Sequence, residues 1–164
     1  MPLAVRLSSA GGSVVSFLSL DEALAFAIVR EEEAAVLYRN MAADARTLPL
    51  RILLGELEAE ERRHKALLEK FRAGAPVPPA GKAVPNLGLT DAATADSSGP
   101  DGTAQDILIL AAQKEARAAD LYGRLAAAAV NDEMRSLFEH LAGQELRHKF
   151  RLENEYEARV LTED

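Results

Sequence analysis

The sequence predicts an all-α protein, a bundle of four helices arranged as two antiparallel pairs joined by a long crossover linker. Three observations predict it. Apolar residues recur at helical spacing in four separate stretches. One helix pair is repeated at a constant offset of 84 residues, and between the copies runs a segment of Pro, Gly, Ala, Ser and Asp without periodic apolar positions. The expected organisation is a single domain over 1–164, with helix pairs at 19–73 and 103–161 and the linker at 74–102.

The repeat needs no gap. Glu31 maps onto Glu115, Ala34 onto Ala118, Leu37 onto Leu121, Tyr38 onto Tyr122, Arg51 onto Arg135, Leu57 onto Leu141, Glu61 onto Glu145, Arg63 onto Arg147, His64 onto His148 and Lys65 onto Lys149. Each copy reads Glu-x-x-Ala-x-x-x-Tyr and then, 30 positions after that glutamate, Glu-x-x-His. Identities outside the chemically active positions mark a duplication of one helical hairpin.

The first helix is expected from Leu20 to about Ala45, opened by the capping-box pattern of Ser19 and Glu22. Leu24, Ala27, Ala34, Tyr38 and Met41 share a stripe that also contains Glu31, while Glu32 and Glu33 point away from it. Thr47-Leu48-Pro49 makes a short turn into a second helix, Pro49 to Arg72, which stops before Gly74. Its inner face is expected to hold Ile52 or Leu53, then Leu57, Glu61, His64, Leu68 and Phe71. So short a joint makes the pair antiparallel.

The linker, at about 3.3 Å per extended residue, outreaches a helix of about 39 Å and can return along the bundle. A third helix follows from near Thr103 to about Ala129, with Leu108, Ala111, Glu115, Ala118 and Tyr122 inward. After a turn at Val130-Asn131 the fourth runs from Asp132 to about Val160, with Leu137 or Phe138, Leu141, Glu145, His148, Leu152 and Tyr156 inward. His140, off that stripe, is expected at the surface. The stretch from Ser13 to Leu20 is mildly apolar but lacks a basic start and runs into Asp21 and Glu22. It reads as an irregular arm rather than a signal peptide.

Four ionised carboxylates inside an apolar bundle would each cost several kcal/mol, or would take up protons, unless cations accompany them. Two divalent ions balance four glutamates, and an oxo or hydroxo bridge would balance oxidation of both. The expected geometry gives Glu31 and His64 to one metal and Glu115 and His148 to the other, with Glu61 and Glu145 bridging. Oxygen-rich sites with one imidazole per ion suit iron, with manganese or zinc also able to bind. Tyr38 and Tyr122, two turns from the terminal glutamates, are the candidate catalytic residues, placed to hydrogen-bond a ligating carboxylate of a neighbouring helix. Ala34 and Ala118 leave space for dioxygen or peroxide.

Composition narrows the remaining classes. With aromatics at 5% and no tryptophan, the interior must be built from small and aliphatic side chains. No cysteine is present, which removes disulfide frameworks, C-x-x-C redox pairs and thiolate iron centres within the chain and fits a cytoplasmic location. A net charge of −7 disfavours nucleic acid and anionic membrane surfaces as partners, and no apolar run reaches the roughly 18 residues of a membrane span.

The doubled Glu-x-x-Ala-x-x-x-Tyr and Glu-x-x-His pattern resembles the rubrerythrin branch of the ferritin-like di-iron carboxylate proteins, from about Ser19 to Leu161 apart from the linker. The resemblance implies a ferritin-like four-helix bundle with Glu31, Glu61, His64, Glu115, Glu145 and His148 as iron ligands. It also implies oxidation of ferrous iron by dioxygen or hydrogen peroxide, peroxide reduction being the activity usually attributed to rubrerythrins. Rubrerythrins proper carry a four-cysteine rubredoxin module, so electrons are here expected from an external donor protein. Family members often have a further carboxylate three residues after the third helix's ligand glutamate, and Ala118 stands there instead. The expectation is therefore a rubrerythrin-like di-iron oxidase, most simply a homodimer. The alternatives are an iron-handling or storage mini-ferritin assembled as a large oligomer and a metal-free helical interaction module.

Overall fold

The computed structural model describes residues 5–7, 15–17, 19–74 and 103–163. Four helices account for nearly all of them: α1 (Leu20–Asp44), α2 (Leu48–Arg72), α3 (Ala104–Ala127) and α4 (Asp132–Glu163). The ends lie where local chemistry puts them. Ser19 Oγ accepts from the Glu22 amide at 3.1 Å, Thr103 and Asp106 form a full capping box, and Asn131 Oδ1 accepts from the Met134 amide at 2.8 Å. Pro49 sits in the first turn of α2, where its missing N–H costs nothing. After α2, Gly74 adopts φ 91°, a left-handed conformation that glycine tolerates without strain.

Side-chain pairs fix the relative directions of the helices. Arg72 binds Asp21 through two bonds of 2.6 and 2.7 Å, Lys65 reaches Glu32 at 2.8 Å, and Arg39 reaches Glu58 at 3.1 Å, so α1 and α2 run antiparallel. Hydrogen bonds Tyr38 to Glu115 and Tyr122 to Glu31 set α1 antiparallel to α3. His148 to Glu60 and Arg151 to Glu56 do the same for α4 and α2.

Two apolar clusters fill the interior and leave a polar layer between them. One, near the α1 start, contains Leu24, Leu68, Leu125, Leu137, Phe138 and Leu141. The other contains Ala45, Leu50, Leu54, Leu57, Leu108 and Leu152. Alanines 23, 27, 35, 111 and 112 are fully buried, which lets the backbones approach closely where aromatics are scarce.

Several expectations need correction. Of the expected Ile52 or Leu53, Leu53 is half-buried against a cluster and Ile52 is 52% exposed, while Leu50 and Leu54 take the inner positions of α2, because the helix is rotated so that they face its neighbours in line with Leu57, Glu61, His64 and Leu68. Ala34 and Ala118 are half-buried, the inner positions beside them going to Ala35 and Ala119, but they do line a cavity, the space expected of them. Met41, Phe71 and Tyr156 are half-buried, packed at the margins of the clusters. His140 is also half-buried. Helix α4 continues past Val160 to Glu163.

The N-terminal arm is not wholly irregular. Strands β1 (Val5–Leu7) and β2 (Val15–Phe17) pair antiparallel with Val5 opposite Phe17 and Leu7 opposite Val15. Short runs containing Val and Phe on either side of Gly11-Gly12 carry a hairpin signal that the apolar reading of 13–20 passed over. The expected crossover linker falls on 75–102, outside the described residues. Among the described residues, no helix is long and apolar enough to cross a membrane.

Candidate metal centre

Each helix brings part of one polar layer to the middle of the bundle. Glu31 comes from α1, Glu61 and His64 from α2, Glu115 from α3, and Glu145 and His148 from α4, all at most 5% exposed. Their donor atoms fall into two groups. Glu31, Glu61, His64 and Glu145 form one and Glu61, Glu115, Glu145 and His148 the other, with the atoms of each group within 4.8 Å of one another. Glu61 and Glu145 belong to both. The two imidazoles lie face to face, their ring centres 5.2 Å apart.

The inward nitrogens are both Nδ1. His64 Nδ1 lies 3.2 Å from Glu145 and 3.5 Å from Glu31 and Glu61, and His148 Nδ1 lies 2.8 Å from Glu61 and 3.3 Å from Glu145. Neither nitrogen is aligned in a hydrogen bond, nor is Glu61 Oε1 or either Glu145 carboxylate oxygen, although all are buried. Buried polar atoms outside any well-aligned hydrogen bond are rare because each forfeits its hydration. Five of them converging on two points are what a pair of cations would satisfy. Metal–ligand bonds of about 2.0–2.2 Å place donor atoms at most about 4.4 Å apart, so the groups need only a slight contraction. The donor set therefore fits two metal ions.

The tyrosines complete the symmetry. Tyr38 of α1 donates its hydroxyl to Glu115 of α3, and Tyr122 of α3 donates to Glu31 of α1. Each terminal glutamate thus has one oxygen held by a phenol and the other free to face its imidazole. Removing either hydroxyl leaves a buried carboxylate oxygen without a donor, which costs about 1–3 kcal/mol. Tyr38→Phe and Tyr122→Phe should each lower the unfolding free energy by that amount, and by the same amount, when measured by denaturant titration.

Burial, followed by the charge of Glu145, pushes the Glu31 and Glu115 carboxyls well above the ordinary 4.5. For the shared pair burial also acts upward, but the imidazoles beside them prevail and hold Glu61 and Glu145 below it. Burial works against the imidazolium forms of His64 and His148, yet the surrounding carboxylates outweigh it and raise both above 6.5. Protons thus take the place of cations in the protein by itself.

The sign of the pH effect follows. Glu31 and Glu115 contribute stability that is complete below pH 4.5 and is lost as pH rises through their elevated folded values, and the histidines behave alike from 6.5 upward. Glu61 and Glu145, held low, contribute a constant amount above 4.5. Chelator-stripped protein should therefore melt at lower temperature at about pH 8 than at about pH 5.5. Metal-loaded protein should show the opposite slope, because binding displaces those protons.

Two features escaped the sequence reading. His148 Nε2–H donates to Glu60 Oε2 at 2.6 Å, and Arg151 braces Glu60 Oε1 at 3.0 Å while its other nitrogen bonds Glu56. Hydrogen bonding to His148 holds the Glu60 carboxyl down at about 2, against the opposing effect of burial. The only hint was a polar residue four positions before each histidine, Glu60 in one copy and Gln144 in the other. The second feature is a buried ion pair, Lys149 to Glu153 at 2.8 Å, both at most 1% exposed. Its repeat counterpart is 4.0 Å apart, with Lys65 half-buried and Glu69 exposed, so periodicity alone gave no reason to bury it.

A cavity of about 390 Å³ opens between α1 and α3 and reaches Glu31, Glu61, Glu115 and Glu145. No family model matches the chain, and no curated protein matches it. A solved structure named "Hypothetical Protein Pfu-1136390-001 From Pyrococcus furiosus" is similar to it, with a TM-score of 0.63 and 26% identity over 85% of this chain and 89% of that one. The name assigns no activity.

Proposed function

We propose that this chain is a rubrerythrin-like di-iron oxidoreductase of ferritin-like fold, which oxidises ferrous iron with dioxygen or hydrogen peroxide and is reduced by a separate donor protein. The observation that carries it is the pair of overlapping donor groups sharing Glu61 and Glu145. Two ferrous ions held so close would supply two electrons together, the number that reduction of peroxide to water consumes. The parallel course of α2 and α3, each antiparallel to its partner in the same bundle, supports a crossover through 75–102.

The chain's own residues supply the rest. Glu31 with His64, and Glu115 with His148, would each hold one ion, and the shared glutamates would hold both. Tyr38 and Tyr122 keep the terminal carboxylates oriented, and their hydroxyls are the nearest buried proton donors to those oxygens. The apolar clusters enclose the layer on either side.

Anaerobic titration with ferrous iron, followed by separate additions of dioxygen and peroxide, tests this reading. The expected result is two iron ions per chain, oxidised by at least one of the two reagents faster than free ferrous iron. Fewer than about one ion per chain, in protein purified without chelator, would overturn it. Gel filtration separates the storage alternative: a large shell favours storage, a homodimer the enzyme.

A further inference from the structure

The cavity over the carboxylate layer exceeds what a diatomic oxidant needs. At about 390 Å³ it lies within the range of pockets that hold organic ligands. A water molecule takes only about 30 Å³ of liquid, and dioxygen or peroxide is not much larger. Leu37 and Leu121 line the sides, and the small side chains of Ala34 and Ala118 keep the passage to the glutamates open.

The mouth carries a net positive charge. Arg30, Lys114 and Arg117 surround it against one acid, Glu33. Glu33 is engaged by Arg30 at 2.9 Å, and Arg30 also lies over the Phe26 ring, 4.9 Å from its centre. Lys114 and Arg117 are exposed and make no ion pair among the described residues. Three apart on α3, they project side by side. The repeat sharpens the point: Arg30 and Lys114 are equivalent positions, but Arg117 stands where the first copy has Glu33. In a chain of net charge −7, two cations without an ion-pair partner among the described residues, set at the rim of a partly apolar cavity, attract an anion.

We propose that this cavity binds an aliphatic carboxylate, its headgroup between Lys114 and Arg117 and its chain along Leu37 and Leu121 towards Ala34 and Ala118. The inference rests on the di-metal reading, since it sets this ligand beside that same site. It needs no residue beyond those lining the cavity.

Zinc-loaded protein, which is redox-silent, allows binding to be read without turnover. Calorimetric titration with octanoate should give saturable binding of one molecule per chain, with octanol binding at least about ten-fold more weakly. The double variant Lys114→Glu/Arg117→Glu should weaken octanoate about ten-fold, the effect of losing two exposed ion pairs. Ala118→Phe, which fills the passage, should abolish binding while zinc content stays at the wild-type level. Octanoate that fails to bind a chain holding two zinc ions, or binds all variants and octanol alike, overturns the proposal. A wild-type chain that takes up no zinc sinks the di-metal reading itself, and this proposal with it.

Discussion

Replacing His148 with alanine should halve the metal content, from two ions per chain to one, and abolish the near-ultraviolet absorption of a bridged ferric pair. His148 supplies the only nitrogen in the group formed with Glu61, Glu115 and Glu145, so its loss leaves that ion three carboxylates. Two of those are shared with the His64 group, which remains complete and retains its ion. The pseudo-two-fold arrangement makes the same prediction for His64→Ala. Metal analysis and absorption spectra are the measurements, and unchanged loading would count decisively against the assignment. Because alanine also opens a void, His148→Gln, nearer in volume, checks that the loss comes from the missing imidazole and not from misfolding. Circular dichroism should show both variants still helical.

Glu60→Gln should weaken one of the two metal-binding steps by about 10–100-fold and leave the other nearly unchanged. A ligating imidazole whose second nitrogen donates to a carboxylate is fixed in its tautomer and made more basic, and loss of such a partner typically costs about that much affinity. Glu60 does this for His148 at 2.6 Å. Gln144 occupies the equivalent position in the other copy and carries no charge. The natural protein is therefore expected to load in two unequal steps, the His148 group first, and the variant to bring the steps together. Cobalt titration followed by its visible absorption separates them. Arg151→Ala, which removes a brace of Glu60 and not Glu60 itself, should produce a smaller shift in the same step. Equal effects on both steps would refute the asymmetry.

Much of the architecture could be read before any coordinates. Glu31, Glu61, His64 and their repeat partners stand out because ionisable residues interrupt an otherwise apolar helical stripe at matching positions in two copies. Helix ends were equally legible at Ser19, Thr103 and Gly74, where capping and left-handed backbone depend on one or two neighbouring residues. The inner face of α2 was less so: Ile52, Leu53 and Leu54 are consecutive apolar residues, and which of them is buried depends on how the helix is rotated against its neighbours. Leu54 is fully buried and Ile52 half exposed.

The sequence by itself determined that two copies of a helical hairpin each carry two carboxylates, an imidazole and a phenol on one face, because period and repeat are properties of a single chain. Tertiary structure alone decided the pairings between copies: which glutamate receives the Tyr38 hydroxyl, that Glu60 serves His148 and not His64, and that Lys149 is buried while Lys65 is not. These depend on which helices lie side by side and at what height. Those relations are set by packing of the whole bundle, so no local pattern encodes them.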